Sequence, residues 1–446
     1  MNEQYPVQAS LKRHSRFAFS VFLSIILLLV LVVGVFAARN FLWQDQFGSD
    51  GKYDSAYGVA AQDDKVFVSG WLETESFGVD WVIRAYDANN GSVIWQDNSI
   101  PPVGGIAVDG NRVFAIGSRQ ISFGKNGWAV RAYDTETGLL LWEDQHDFPG
   151  SARVVVLKDS QIFVLGSSIN ENGTSVWVIR VYNPVDGTLL QQIQIDLGDS
   201  PAFLNKFFVQ GNRLFVAGSI QSGSNSQDWL IRAYDTDSGT LLWQDQFDLA
   251  GGYDFLNDVV VSRTQVIMVG SGPNDNGDYD WLVRAYDIVD GSLLWQDQFD
   301  RNGGGGSAFA VTAEGQQIYV AGNMADSQGS LRHDAVLRVY NQGGSLLWED
   351  YYNLAGSFDG YSEIAVKRGQ IIVAGTAGDS SGNYGWLVRS YNSQRRTLLW
   401  QDYKAGGFWD FVVDMTVNDN QVFIVGDSTD ELDVQDWLVR AYSLGR

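Results

Sequence analysis

The chain has 446 residues, of which 53 are acidic and 30 are basic, giving a net charge of −23. Such an acidic surface repels the phosphates of nucleic acids, so nucleic acid is excluded as a partner. The absence of cysteine excludes disulfide bonds and thiolate chemistry. Three histidines leave little material for a Ser-His-Asp triad or a histidine-rich metal site.

The N-terminal residues predict a membrane segment. Residues 1–16 are polar and basic, and residues 17–38 form an uncharged apolar run that is long enough to cross a bilayer as a helix. Basic residues before this run and acidic chain after it predict that residues 41–446 are exported to the periplasmic or extracellular side. The length of the run favours a retained anchor in the cytoplasmic membrane. Val35-Phe36-Ala37 also fits a cleavage signal, so a cleaved signal peptide is the alternative.

From residue 41 onward the chain repeats one unit, which is clearest in residues 281–299. Side chains alternate along residues 281–286 with the period of a β-strand, residues 287–291 supply turn chemistry, and residues 293–299 resume an extended pattern. The unit is therefore a hairpin. An Arg recurs three residues into every unit: Arg84, Arg131, Arg180, Arg232, Arg284, Arg338, Arg389 and Arg440. A closing Trp recurs at Trp43, Trp95, Trp142, Trp243, Trp295, Trp348 and Trp400, with Gln191 as the exception.

Two further short strands precede each hairpin, as in residues 258–261 and 266–270. Each period of about 50 residues then holds four short antiparallel strands, which is typical of a propeller blade. The chain begins with an isolated fourth strand, 41–47, and ends with an isolated third strand, 437–442. Pairing these two strands would complete the last blade and remove two open sheet edges. The sequence therefore predicts an all-β fold: one domain that is an eight-bladed β-propeller of four-stranded antiparallel blades.

The turn residues carry a family resemblance. Ala132-Tyr-Asp-Thr-Glu-Thr-Gly-Leu-Leu-Leu-Trp142 resembles the docking motif of pyrroloquinoline-quinone (PQQ)-type propeller repeats, and related pieces resemble the bacterial repeats called SBBP. The resemblance covers roughly residues 41–442 and implies the fold. Such repeats serve both quinone dehydrogenases and non-catalytic scaffolds, so the resemblance leaves the function open.

Residues that recur in all blades are expected to be structural. An Asp also recurs in the fourth strand, for example Asp297. We expect each Arg to pair with such an Asp across strands or across blades. We expect the recurring Trp residues to pack between blades.

One face of the ring is expected to be acidic and aromatic, because inter-blade loops and second-to-third-strand loops open on the same side. Its aspartates are Asp54, Asp80, Asp228, Asp254, Asp280, Asp359, Asp410 and Asp436. From this set we assign Asp54, Asp254, Asp359 and Asp410, together with Trp71 and Trp409, to a candidate partner-binding surface. Capping and turn bonding are the structural alternative for the aspartates.

A Ca²⁺ site is a second candidate on the same face. The loop from Asn274 to Asp280 alternates oxygen-bearing side chains, and Asp275, Asp278 and Asp280 are its candidate ligands. The loop lacks the complete Asp-x-Asp-x-Asp-Gly pattern and a terminal Glu.

A non-catalytic, membrane-tethered envelope scaffold that binds a protein or a surface ligand is the favoured function, with no cofactor other than possible Ca²⁺. The first alternative is a PQQ- or metal-dependent oxidoreductase, but the resemblance implies an adjacent-cysteine disulfide against the cofactor in those enzymes, and this chain has no cysteine. A carbohydrate-binding propeller that uses Trp71 and Trp409 is the second alternative.

Overall fold

The computed structural model describes residues 40–445 apart from short gaps. These gaps are 49–50, 75–78, 101–102, 123–124, 148, 171–173, 197–201, 224–225, 275, 302, 327–328, 356, 408–409 and 430–433. The apolar run 17–38 lies outside the described residues. Within the described ranges, no helix is long and apolar enough to span a membrane.

Eight four-stranded antiparallel sheets make up the described chain. The first strand, β1 (Phe41–Phe47), belongs to the last sheet. The strands of blades 1 to 4 are β2 (Asp54–Gln62), β3 (Lys65–Glu73), β4 (Val79–Asp87) and β5 (Val93–Ile100); β6 (Val103–Asp109), β7 (Arg112–Ser122), β8 (Lys125–Asp134) and β9 (Leu140–His146); β10 (Gly150–Lys158), β11 (Gln161–Ile169), β12 (Ser175–Tyr182) and β13 (Leu189–Asp196); β14 (Ala202–Gln210), β15 (Arg213–Gln221), β16 (Gln227–Asp235) and β17 (Leu241–Phe247).

The second half of the ring follows the same order. The strands of blades 5 to 8 are β18 (Phe255–Val261), β19 (Gln265–Pro273), β20 (Tyr279–Asp287) and β21 (Leu293–Phe299); β22 (Gly306–Glu314), β23 (Gln317–Asp326), β24 (Gly329–Asn341) and β25 (Leu346–Tyr352); β26 (Asp359–Lys367), β27 (Gln370–Gly378), β28 (Tyr384–Asn392) and β29 (Thr397–Lys404); β30 (Val412–Val417), β31 (Gln421–Thr429) and β32 (Gln435–Ser443) with β1.

Blade 8 is completed from both ends of the domain, as the sequence predicts. Strand β1 pairs antiparallel with β32, with Phe41 opposite Tyr442 and Phe47 opposite Trp437. This pairing covers the free edges that β1 and β32 would otherwise expose. The eight-bladed closed ring is confirmed.

The first strand of each blade is the innermost, because first strands contact the first strands of neighbouring blades. The pairing of every first strand with its second strand contains a one-residue irregularity, a β-bulge. A bulge bends the strand and redirects its side chains. Two bulge residues bond to the next blade: Asn205 Nδ2 donates to the carbonyl oxygen of Leu256 at 2.6 Å, and Asn257 Nδ2 donates to that of Ala308 at 2.8 Å.

The closing tryptophans connect each blade to the next, which confirms their predicted packing role. The Nε1 of Trp43 donates to the carbonyl oxygen of Ala88 at 2.8 Å, and the Trp43 ring stacks on Tyr86. In blade 3, where Gln191 stands at the Trp position, Gln191 Nε2 donates to the carbonyl oxygen of Thr236 at 3.2 Å instead. The hydrogen bond is thus retained where the indole is missing.

The Arg column forms the predicted ion pairs, and the structure shows that most join neighbouring blades. Arg389 Nη1 lies 2.8 Å from Asp350 Oδ2, and the hydroxyl of Tyr391 donates to the same oxygen at 2.5 Å. The same Asp–Arg pairing recurs as Asp45–Arg84, Asp144–Arg180, Asp245–Arg284, Asp297–Arg338 and Asp402–Arg440. In blade 3 Ile193 stands at the Asp position, and Arg232 donates to the carbonyl oxygen of Asp196 instead.

Candidate functional site

The candidate site lies on the face of the ring at which the first and third strands of each blade begin, called here the upper face. Antiparallel pairing sets this geometry: Asp54 at the start of β2 is opposite Leu72, and Leu72 is opposite Asp80 at the start of β4. The other predicted aspartates occupy equivalent positions in their blades. The sequence therefore assigned them to the correct face.

The four partner-surface aspartates nevertheless point inward. Asp54, Asp254, Asp359 and Asp410 are all buried. Asp359, for example, accepts hydrogen bonds from the backbone N–H groups of Leu354 and Gly378, at 2.8 and 3.0 Å. Burial raises the pKa of Asp359 to about 6. These carboxylates order the loops around them and present little charge to solvent, and their assignment to a partner-binding surface stays a prediction.

The upper face exposes several aromatic side chains. Tyr53, Tyr57, Phe203, Tyr253 and Phe255 are 43–61% exposed, and no other aromatic side chain of the described residues reaches this range. All five lie in the first half of an innermost strand or within two residues before it. They belong to blades 1, 4 and 5 at the upper face, and we call them the upper-mouth aromatics.

One pair of these aromatics is held in place by its neighbours. The rings of Tyr253 and Phe255 stack with centroids 6.4 Å apart, and Phe255 contacts the Tyr279 ring at 5.6 Å. Asp254 lies between them in the chain and points inward. The alternation of Tyr253, Asp254 and Phe255 therefore exposes two rings and buries the carboxylate. The sequence signal for this arrangement is the aromatic residue directly before the Asp, here Tyr253 before Asp254.

The two tryptophans assigned to this surface are placed differently. Trp71 is half-buried on β3, where it is paired in register with Trp81. Trp409 lies outside the described residues. A joint surface of Trp71 and Trp409 stays a prediction.

The predicted Ca²⁺ loop is organised by side-chain amides. Asn274 Oδ1 accepts the backbone N–H groups of Asn276 and Asp278, and Asn274 Nδ2 donates to Asp280 Oδ1 at 2.8 Å. Gln298 Nε2 donates to the other oxygen of Asp280 at 2.6 Å. Asp275 lies outside the described residues. Both Asp280 oxygens already have donors, and a Ca²⁺ role for this loop stays a prediction.

Charged residues on the innermost strands form a third candidate, which the sequence did not single out. Lys206, Asp258, Glu363 and Asp414 each directly follow a bulge residue. Lys206 Nζ lies 3.3 Å from Asp258 Oδ1. Burial raises the pKa of Glu363 well above its usual range, and the charge of Asp414 adds to this effect. We call these four residues the axial group.

The axial group bears on the oxidoreductase alternative, which needs a metal beside the quinone. Among the described residues, one set of three carboxylates or histidines has ligand atoms within 4.8 Å of one another, and it contains no axial residue. Asp258, Glu363 and Asp414 therefore do not form such a set among the described residues.

Solved structures support the fold. BamB from Moraxella catarrhalis is 15% identical with a TM-score of 0.54, and the match covers 91% of this chain and 99% of that one. Sqt1 from Saccharomyces cerevisiae is 10% identical with a TM-score of 0.57, covering 92% and 100%. Quinohemoprotein alcohol dehydrogenase from Comamonas testosteroni is 10% identical with a TM-score of 0.55, covering 91% and 76%. At such identities the likeness shows the fold alone.

The family comparison goes further than the fold. No curated protein sequence matches this chain. The family model described as outer membrane protein assembly factor BamB matches residues 79–178, 125–322 and 167–432. The matched segments together span most of the described propeller, which also confirms the predicted PQQ-like repeat. The chain belongs to the BamB family of PQQ-like bacterial β-propellers.

Proposed function

We propose that this chain is a non-catalytic scaffold of the cell envelope that binds a protein partner through its upper-mouth aromatics. The observation that carries the proposal is that the most exposed aromatic side chains of the described residues all lie on one face of the ring, at the starts of three innermost strands. Aromatic residues are enriched in protein interfaces and contribute much of their binding energy. Membership of a family named for outer membrane protein assembly supports a protein partner in the envelope.

The surface is suited to binding because it is rigid before contact. Tyr253 and Phe255 stack on one another, and the backbone between them is held where the N–H of Asp254 donates to the carbonyl oxygen of Gln227 at 2.7 Å. A side chain that is already ordered loses little conformational entropy on binding. The recurring Arg, Asp and Trp residues are used within the ring and leave this face free for recognition.

Site-specific photo-crosslinking tests the proposal. A photoreactive phenylalanine analogue is placed at Phe203 or Tyr253 in cells with intact envelopes. Val185 and Val289 are the controls, because they are 60% and 59% exposed but lie in turns between third and fourth strands on the opposite face. The proposal predicts one discrete crosslinked protein from the upper positions and none from the controls. Equal crosslinking from both faces, or none from either, would contradict it.

Retention in the membrane is a separate part of the proposal. The uncharged run at residues 17–38 supports an anchor that places the propeller outside the cytoplasm. Residues 1–16 would then be cytoplasmic. Carbonate washing of isolated membranes checks this: an anchored chain stays with the membranes, and a cleaved chain is released.

A PQQ- or metal-dependent oxidoreductase is the first alternative, and the observation in its favour is the titratable axial group on the innermost strands. Addition of PQQ and Ca²⁺ followed by absorbance spectroscopy distinguishes it from a scaffold. The carbohydrate-binding alternative predicts retention of glycans that is lost with Trp71→Ala.

A further inference from the structure

Four connections between blades carry an aspartate at or just before the first strand: Asp54, Asp254, Asp359 and Asp410. In three of them a carboxylate oxygen accepts a hydrogen bond from the backbone N–H group found 19 residues later. The donors are Glu73 at 2.8 Å, Gly378 at 3.0 Å and Thr429 at 2.6 Å. In the connection from blade 4 to blade 5 the corresponding residue is Pro273, which has no N–H group.

Asp254 is consequently left with one carboxylate oxygen that has no donor. Its side chain is completely buried, and Oδ2 accepts the backbone N–H of Leu249 at 2.9 Å. Oδ1 has no hydrogen-bond partner among the described residues. A buried carboxylate oxygen without a donor is destabilising, and a cation would satisfy it.

Two further carboxylates converge on Asp254. Asp228 is at the start of β16, Asp248 directly follows β17, and the three residues offer oxygens that lie within 4.8 Å of one another. Asp228 is buried and accepts hydrogen bonds from the Ser222 hydroxyl and Gln246 Nε2, whereas Asp248 is exposed and gives access from solvent. Burial raises the pKa of Asp254 to about 7, and the charges of Asp248 and Asp228 add to this effect.

Two equivalent carboxylates elsewhere in the ring form ion pairs, whereas these three do not. Asp334, which corresponds to Asp228, forms an ion pair with Arg301 at 2.6 Å and accepts from Asn353 Nδ2 at 2.7 Å. Asp410 has Lys404 Nζ at 3.4 Å. None of the ion pairs formed by the described residues involves the three carboxylates between blades 4 and 5. Among the described residues, only the more distant charge of Arg284 acts to offset the negative charge of Asp254.

We propose that Asp228, Asp248 and Asp254 bind a divalent cation of the size of Ca²⁺, which ties blade 4 to blade 5. Calcium accepts six to eight oxygen ligands at about 2.4 Å, so oxygens up to about 4.8 Å apart can contact the same ion. Mg²⁺ binds at about 2.1 Å and requires a more compact set of ligands. Because Asp254 lies between Tyr253 and Phe255, the ion also fixes the backbone that carries two upper-mouth aromatics.

Calorimetric titration of the full chain with Ca²⁺, and separately with Mg²⁺, tests the site without any partner protein. The wild-type chain is expected to bind one Ca²⁺ at this site and to prefer Ca²⁺ to Mg²⁺. Asp248→Asn should weaken Ca²⁺ binding at least about tenfold, because one of three charged ligands is lost. Asp300→Asn is the matched control: Asp300 directly follows Phe299 as Asp248 follows Phe247, but Gly306 stands where Asp254 would be.

Pro273→Gly provides a test that leaves every carboxylate in place. Glycine has the backbone N–H group that proline lacks, and Gly378 uses the equivalent group to donate to Asp359. The new N–H group would compete with the cation for Asp254 Oδ1, so Ca²⁺ binding should weaken. Ca²⁺ should also raise the thermal midpoint of the wild-type and Asp300→Asn chains more than Na⁺ of equal ionic strength does. Ca²⁺ binding that is unchanged in Asp248→Asn, or absent from the wild-type chain at millimolar concentration, would overturn the proposal.

Discussion

Replacement of Trp243 by alanine tests how blades are held together. Trp243 is 8% exposed, and its ring stacks on Tyr286 of the next blade with centroids 6.4 Å apart. A Cβ added to Gly291 would lie 2.5 Å from the indole, so the ring packs directly on the turn of blade 5. Gly291 has a φ of 73°, which glycine adopts without strain.

The expected cost follows from these contacts. Truncation of a buried Trp to Ala usually destabilises by about 3–5 kcal/mol. The hydrogen bond from Trp243 Nε1 to the carbonyl oxygen of Ile288 is long, at 3.4 Å, and adds at most about 1 kcal/mol. We therefore expect Trp243→Ala to lower the free energy of unfolding by about 4 kcal/mol.

Gln191 provides a control that the chain itself supplies, because it occupies the Trp position in blade 3. It offers one hydrogen bond to Thr236 and no ring, so Gln191→Ala should cost only about 1 kcal/mol. Urea unfolding followed by circular dichroism measures both variants. A difference of less than about 1 kcal/mol between them would refute the reasoning, since it would mean that the indole adds nothing to packing.

The remaining predictions concern closure, ion pairing and pH. Deletion of residues 41–47 should lower the melting temperature of the whole ring by exposing an edge of β32; an unchanged melting temperature would count against closure. Asp350→Ala should cost about 3–5 kcal/mol in urea unfolding, because Arg389 and Tyr391 lose a shared acceptor in a largely buried site. Burial raises the pKa of Asp427 to about 6. Between about pH 4 and pH 6, Asp427 therefore keeps its proton in the folded chain and has lost it in the unfolded chain. Stability should therefore fall as pH rises from about 4 to about 6, and Asp427→Asn should reduce this fall in pH-dependent melting.

The closure of the ring could be predicted because the chain itself shows which strands are missing. A fourth strand at residues 41–47 has no preceding partners, and a third strand at 437–442 has no successor. The packing role of the Trp columns was predictable for a similar reason, since a residue present in nearly every blade cannot be specific to one site.

The sequence left two interpretations of the upper-face aspartates, a partner-binding surface and capping of backbone N–H groups. Whether Asp359 faces solvent or the interior depends on backbone N–H groups at Leu354 and Gly378, and only the folded loops bring these donors together. The sequence placed Asp359 on the correct face, and its two backbone donors agree with the capping interpretation.

The axial group was missed because its position depends on a bulge. Lys206 and Glu363 follow irregularities at Asn205 and Ser362, and strict strand alternation assigns residues beyond a bulge to the wrong side. The proposed cation site was not recognised in the sequence in part because its signal is a proline. Pro273 matters only through the N–H that it fails to supply to Asp254.

Binding of the crosslinked partner, once purified, tests the scaffold function most directly. Titration calorimetry compares the wild-type chain, the double variant Tyr253→Asp with Phe255→Asp, and the axial variant Glu363→Gln. The scaffold account predicts that the double variant binds at least about thirtyfold more weakly, as expected for loss of a binding hot spot, and that Glu363→Gln binds as the wild type does. Unchanged affinity in the double variant, with affinity lost in Glu363→Gln, would contradict the account.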